Sequence, residues 1–195
     1  ENTGLAALMG LIGPLAVGLA AASVLGWRAG LFLGALVMIH PNGFTEADRL
    51  SRFYFNNVIG NPLDTTIALQ HLIFEGTLDK FPGLKILAAH GGGYLGSYAP
   101  RSDHGCFVSP ANCNPAIQLK KKPTEYMRDM YYDTLIFTDE ALRHLAHEVG
   151  VDKLVIGTDH PIPWQADSVN HILNCPHFND AQKRMMLGET AGKLL

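Results

Sequence analysis

Three side chains that can bind a metal ion or carry a proton stand at the ends of short apolar runs in this sequence. His40 ends the run GALVMIH, His90 ends LKILAAH, and Asp159 ends DKLVIGTD. Imidazole nitrogens and carboxylate oxygens are common ligands of zinc and other first-row divalent ions, and imidazole also transfers protons near neutral pH. Because the three residues lie far apart in the chain, only a fold that gathers the ends of these runs can form one site.

The segments around these runs have the marks of helices. Residues 61–83 carry apolar residues at helical spacing, with Gly76 as a stop signal, and residues 138–150 are bounded by a capping Thr138 and a terminating Gly150. The last segment, 179–195, also predicts a helix. By contrast, residues 94–122 are rich in Gly, Pro, Ser and Asn and predict a long irregular connection.

Four apolar runs with few charges predict buried strands, at residues 34–40, 84–90, 131–137 and 152–159. Strands that alternate with helices at this spacing indicate parallel βαβ units, and hence an α/β fold. The carboxyl ends of parallel strands open on one face, where ligands bind. We therefore expect His40, His90 and Asp159 to converge on one pocket and form a metal site.

The composition excludes several classes of protein. The 195 residues suffice for one domain with a core, and 47% hydrophobic against 17% charged residues indicates a globular chain. The net charge is −3 and Lys120 to Lys122 form the only basic run, which argues against a nucleic-acid partner. The three cysteines, Cys106, Cys113 and Cys175, are an odd number without a CxxC pair, so we expect no disulfide framework and a cytoplasmic location.

The apolar, glycine-rich N-terminal segment differs from the rest, which divides the chain into residues 1–33 and a domain over residues 34–195. Residues 2–27 carry no charge and are long enough to cross a bilayer. Their glycines, Pro14 and the lack of flanking basic residues favour a buried apolar helix instead. Membrane association through residues 2–27 stays an alternative, as does an origin of this segment outside the domain.

Several short motifs, taken in order, resemble the amidohydrolase-related family, in the branch of aminocarboxymuconate semialdehyde decarboxylase. They are IHP, FPGLKILAAHGGG, RSDHG, YYDT and KLVIGTDHPIPW, and the resemblance covers about residues 35–195. It implies the C-terminal half of a TIM-type (β/α)8 barrel. It further implies one catalytic divalent metal, with Zn²⁺ expected, and decarboxylation of a small unsaturated or aromatic carboxylic acid.

The resemblance also implies a role for each site residue. His40 and Asp159 match metal ligands, and His90 matches a histidine that acts as acid or base beside the metal. Arg101 matches an arginine that binds the substrate carboxylate near a subunit boundary, which implies a possible homodimer. The three glycines after His90 are expected to leave space for the substrate.

One departure from the family pattern is large. The family begins with a His-x-His pair that supplies two more metal ligands, whereas this sequence contains no His-x-His and no histidine before His40. His160 and His104 are the nearest candidates to replace those ligands. Three interpretations therefore stay open: a decarboxylase, a metal-dependent hydrolase of the same fold, or an inactive, truncated half-barrel.

Overall fold

The computed structural model describes residues 36–44, 47–162 and 167–195. The predictions for residues 1–33, an apolar helix or a membrane-associated segment, lie outside these ranges, as does the boundary between residues 33 and 34. Among the helices of the described ranges, none is both long and apolar enough to cross a membrane.

A parallel sheet forms the centre of the described structure. Its strands pair in chain order, β1-β2-β3-β4, and each neighbouring pair is parallel. They are β1 (Leu36–Ile39), β2 (Lys85–Ala88), β3 (Tyr131–Asp133) and β4 (Leu154–Val155). The predicted α/β class with parallel βα units is therefore confirmed, although each strand is shorter than its apolar run.

Helices connect and cover the strands. In chain order they are α1 (Asn61–Phe74), α2 (Thr77–Lys80), α3 (Leu95–Tyr98), α4 (Pro100–Val108), α5 (Pro123–Tyr126), α6 (Asp139–Val149), α7 (Ser168–Asn174), α8 (Asp180–Arg184) and α9 (Thr190–Leu194). The predicted local signals hold in α1 and α6. Thr138 Oγ1 accepts a hydrogen bond from the Ala141 amide at 3.2 Å, and Gly76 and Gly150 take positive φ values where the helices stop.

The core lies between this sheet and its helices. Ile86, Tyr132 and Leu154 of the strands are buried together with Leu69 of α1 and Leu142 of α6. Burial of each such side chain stabilises the fold by about 1.5–3 kcal/mol. The Tyr132 hydroxyl donates to the Met127 carbonyl at 3.0 Å, so this large polar side chain is buried with its hydrogen bond satisfied.

Only the second part of segment 94–122 is the irregular connection that its composition predicts, because the first part forms α3 and α4. The expectation for the cysteines is also wrong, since Cys106 and Cys113 form a disulfide bond. The end of α4 and the turn after it fold back, which brings the two Cα atoms to 5.8 Å. A cytoplasmic location stays a prediction.

Candidate metal and catalytic site

The structure brings His40, His90 and Asp159 together at the carboxyl end of the sheet. The Nε2 atom of His40 lies 3.3 Å from Nε2 of His90 and 3.6 Å from Oδ1 of Asp159. One ligand atom from each residue lies within 4.8 Å of the others. The sheet causes this convergence, because His40 directly follows β1, and His90 and Asp159 follow β2 and β4 closely.

The donor atoms fit a divalent metal ion. Two ligands about 2.1 Å from a tetrahedral ion are separated by about 3.4 Å, close to both measured separations. The side chains of His40 and Asp159 are 45% and 20% exposed, so solvent and a small ligand reach the site. His104 and His160 do not join this group among the described residues, and the residue that lies beside His40 and Asp159 is His90.

Two of the three residues have an unusual backbone conformation. His90 has φ = +53° and Asp159 has φ = +52°, in the left-handed region that non-glycine residues rarely adopt. This conformation costs about 1–2 kcal/mol per residue. Such backbone strain is typical of functional sites, where the surrounding structure holds it in place.

The three glycines of the turn after His90, Gly91 to Gly93, are required for a different reason from the one that the sequence suggests. Gly91, Gly92 and Gly93 all take positive φ values, and added Cβ atoms would collide with the protein itself. Such a Cβ would lie 2.4 Å from Ile136 at Gly91, and 2.1 Å from the Pro62 carbonyl oxygen at Gly93. The expectation that the glycines leave space for a substrate is thus wrong, because close packing requires them.

Hydrogen bonds fix this glycine turn. The backbone amides of residues 91 to 94 each donate to an acceptor within the protein. In chain order, these acceptors are Asp133 Oδ1 (3.1 Å), the Ala89 carbonyl (3.0 Å), the His90 carbonyl (3.2 Å) and Thr66 Oγ1 (2.8 Å). The turn is therefore rigidly held, and it holds the backbone of His90 with it.

Asp133 is a residue that the sequence analysis did not assign to the site. This residue is 7% exposed and lies at the end of β3, between the strands that precede His90 and Asp159. An acidic residue at the end of an apolar run was the available signal. It was missed because the run 131–137 places Asp133 inside the predicted strand, whereas β3 ends at this residue.

Arg101 lies on α4 rather than at the end of a strand. It is exposed, and its guanidinium carbon lies 6.0 Å from the centre of the Tyr98 ring. A cleft of about 650 Å³ beside α4 is lined by residues that include Ser102, Asp103 and the Cys106–Cys113 disulfide, and by none of the three converging residues. The role of Arg101 in binding a carboxylate stays a prediction.

Fold and site together define an α/β protein with a candidate divalent-metal centre at the carboxyl end of a parallel sheet. The sequence matches the Amidohydrolase family over residues 17–195, and the chain belongs to this family. It is 32% identical over 164 residues to 2-amino-3-carboxymuconate-6-semialdehyde decarboxylase of Dictyostelium discoideum. The aligned region covers 84% of this chain and 45% of that relative. The chain thus spans about half the length of the curated relatives it matches.

Solved structures show the same fold. The 5-carboxyvanillate decarboxylase of Sphingomonas paucimobilis superposes with a TM-score of 0.74 and 27% identity, over 87% of this chain and 51% of that one. A 5-carboxyvanillate decarboxylase of Novosphingobium aromaticivorans was solved with manganese and 4-hydroxy-3-methoxy-5-nitrobenzoic acid. It superposes with a TM-score of 0.75 and 22% identity, over 87% of this chain and 50% of that one. The described residues therefore form an incomplete barrel of the amidohydrolase type.

Proposed function

We propose that this chain carries the metal centre and the proton-transfer residue of a decarboxylase, a carbon–carbon lyase for small aromatic or unsaturated carboxylic acids. The convergence of His40, His90 and Asp159 at one end of the sheet is the observation that carries this proposal. The decarboxylase activity named for the Dictyostelium relative and for the similar solved structures supports it.

His40 and Asp159 are the residues we assign to the metal ion. Zn²⁺ is the ion we expect, because nitrogen and carboxylate ligands suit it, and manganese in the similar structures makes Mn²⁺ the second choice. A bound ion would supply positive charge that draws electron density from a substrate oxygen. The partial exposure of both side chains leaves room for that oxygen to approach.

His90 is the residue we assign to proton transfer. In a decarboxylation, the bond between the carboxyl carbon and the adjacent carbon breaks and CO₂ leaves. The electron pair stays on the adjacent carbon, which then takes up a proton. An imidazole is suited to deliver that proton near neutral pH, and the hydrogen-bonded turn after His90 keeps its backbone in place.

Arg101 is the residue we assign to a substrate carboxylate, because a guanidinium binds a carboxylate through two parallel hydrogen bonds. Its exposed position on α4 suits a site that forms between two copies of the chain. A homodimer is thus part of the proposal, and sedimentation of the purified chain tests it.

The reaction is tested with the purified chain loaded with Zn²⁺ or Mn²⁺ in parallel. We expect one of the acids named for similar decarboxylases, 5-carboxyvanillate, 2,6-dihydroxybenzoate or 2-amino-3-carboxymuconate 6-semialdehyde, to lose one carboxylate. CO₂ is then released and a new C–H bond is visible by NMR. A chelator and the substitution Asp159→Asn should both abolish turnover. Asp103→Asn is the matched control, because Asp103 binds Thr124 and does not contact the three site residues.

Two results would contradict the proposal in different ways. If the wild-type chain binds neither ion, the metal site is wrong. If it binds an ion tightly but decarboxylates none of the acids, the assigned reaction is wrong and the metal site is retained. Hydrolysis of an ester or lactone would then favour the hydrolase interpretation, and no turnover at all would favour the inactive half-barrel without a His-x-His pair.

A further inference from the structure

We infer that Asp133 is a positioning residue that couples the backbone segments of His90 and Asp159, an inference that rests on the proposed function of these two residues. Asp133 does not belong to the cluster of possible metal ligands, which consists of His40, His90 and Asp159. Its carboxylate instead contacts the segment that carries His90 on one side and the segment that carries Asp159 on the other.

The contact with the His90 segment is one hydrogen bond, from the Gly91 amide, and a second bond from Leu135 holds the carboxylate within its own segment. Asp133 Oδ1 accepts from the Gly91 amide at 3.1 Å and from the Leu135 amide at 3.0 Å. A buried carboxylate is costly unless such donors satisfy it, and charged hydrogen bonds of this kind are the stronger ones. Gly91 follows His90 directly, so this carboxylate fixes the peptide that sets the left-handed conformation of His90.

The contact with the Asp159 segment is close packing. A Cβ atom on Gly157 would lie 2.7 Å from Cβ and Cγ of Asp133 and 2.9 Å from its Oδ2, so the glycine backbone lies directly against the carboxylate. The Gly157 amide also donates to Thr134 Oγ1 at 3.4 Å. The end of β3 therefore sets the path of the chain toward Asp159.

The order of the strands explains why one residue reaches both segments. β3 pairs with β2 on one side and with β4 on the other, so the last residue of β3 lies between the two chain ends that carry His90 and Asp159. Loss of the Asp133 carboxylate would release the Gly91 amide and leave a gap beside Gly157. His90 and Asp159 would then shift independently, and an ion held near them would be held less well.

We test this inference by measuring how tightly the full chain binds Mn²⁺ in the absence of substrate. The EPR signal of the free ion gives the affinity. Asp133→Ala should bind Mn²⁺ about 10–100-fold more weakly than wild type, the usual effect of removing a group that orients a ligand. Asp133→Asn keeps the Oδ1 acceptor and should stay within about threefold. The control Asp103→Ala removes a carboxylate that also accepts two hydrogen bonds, both from Thr124, and should leave the affinity unchanged.

A second readout does not depend on metal. In the apo protein, hydrogen exchange of the Gly91 amide should accelerate at least about tenfold in Asp133→Ala relative to Asp103→Ala, because only the first loses its acceptor. If Asp133→Ala does not fold, Gly157→Ala replaces it, since its Cβ would push the carboxylate away and should weaken Mn²⁺ binding at least tenfold.

The outcomes separate this inference from the proposed function. Wild-type protein that does not bind Mn²⁺ contradicts the metal site, while Gly91 exchange still decides the role of Asp133. Wild-type protein that binds Mn²⁺, with Asp133→Ala or Gly157→Ala binding it equally well, overturns the role of Asp133 and leaves the metal site standing. A protected Gly91 amide in Asp133→Ala overturns it as well.

Discussion

His40 and His90 face each other across the carboxyl end of the sheet, with their Nε2 atoms 3.3 Å apart. The register of the sheet causes this contact, because Ile39 pairs with Ala88 and the Ala89 amide continues the ladder by donating to the Ile39 carbonyl at 3.0 Å. Backbone pairing thus brings the two imidazoles into edge-on contact at this end of the sheet.

His40→Ala should weaken Zn²⁺ binding by at least about tenfold, because a direct ligand contributes no less than the groups that orient it. Isothermal titration with Zn²⁺ measures the change. His71→Ala is the matched control, because His71 lies exposed on α1 and, within the described residues, pairs only with Glu75 just after this helix. Equal affinities of the two variants would remove His40 from the site.

His90→Gly should unfold no more easily than wild type, although it lacks the imidazole. Glycine adopts the left-handed conformation of this position without the cost of about 1–2 kcal/mol that other residues pay. Urea denaturation measures the free energy of unfolding. The same substitution at His71, inside α1, should lower it by about 0.5 kcal/mol, because glycine is a poorer helix former than histidine and the pair with Glu75 is lost. A loss above about 1 kcal/mol at position 90 would show that the imidazole stabilises the fold.

Gly93→Ala should lower the free energy of unfolding by about 3 kcal/mol, the combined cost of a left-handed alanine and of overpacking. The new Cβ would lie 2.1 Å from the Pro62 carbonyl oxygen. Gly105→Ala is the control, because it lies in α4 with open space around it and should be neutral or stabilising. Thermal and urea unfolding of both variants compare the two positions, and similar stabilities would contradict the packing of the turn.

Tyr126→Phe should lower the free energy of unfolding at pH 7 by about 1.5 kcal/mol, the value of the hydrogen bond that its hydroxyl donates to a charged group. The Lys120 amide, which also donates to this hydroxyl, keeps Asp79 Oδ2 as its acceptor in the variant. The buried Tyr126 hydroxyl donates to Asp79 Oδ2, and this bond lowers the pKa of Asp79 below its usual 3.8. A lowered pKa stabilises the folded state above 3.8, and that contribution is lost as the pH falls through the folded-state pKa.

The difference between Tyr126→Phe and wild type should therefore be complete at pH 7 and shrink below pH 3.8. Urea unfolding at several pH values measures it, with Tyr98→Phe, at an exposed tyrosine, as the control. A difference that grows in acid would contradict the assigned hydrogen bond.

Thiol labelling tests the cysteine arrangement. Cys175 is buried, and burial raises the pKa of its thiol, so a maleimide should not react with the folded chain. Mass spectrometry should find one label after unfolding without reductant, and three after unfolding with reductant, since Cys106 and Cys113 are bonded. Three labels without reductant would show that the bond does not form in solution.

The sequence predicts the parts of this fold that depend on neighbouring residues. Thr138 caps α6 because its hydroxyl accepts from an amide three residues along the chain, and Gly150 ends the helix because it adopts a positive φ. Both effects act within one helical turn, so nearby residues suffice to predict them. The convergence of His40, His90 and Asp159 was also predictable, since it follows from the parallel order of the strands alone.

Features that depend on contacts between distant segments could not be predicted in this way. Gly93 is needed because the first turn of α1 lies against it, and no pattern near Gly93 shows that contact. The sequence pattern predicts Asp133 to be an ordinary residue inside a strand, and only the structure shows that β3 ends at this residue. The helix α4 was missed because Gly105 and Pro100 look like loop residues, whereas Pro100 stands in its first turn.

The hydrogen bonding of the glycine turn also limits how the site can recognise an anion. Glycine-rich turns often form an oxyanion hole through free backbone N–H groups, but the amides of residues 91 to 94 are all used within the protein. These four amides are therefore not free to bind a substrate carboxylate, and the proposed metal ion and Arg101 are the groups that would offset its charge. Discrimination between an acid and its uncharged ester then rests on charge, and raising the ionic strength should weaken binding of the acid more than that of the ester.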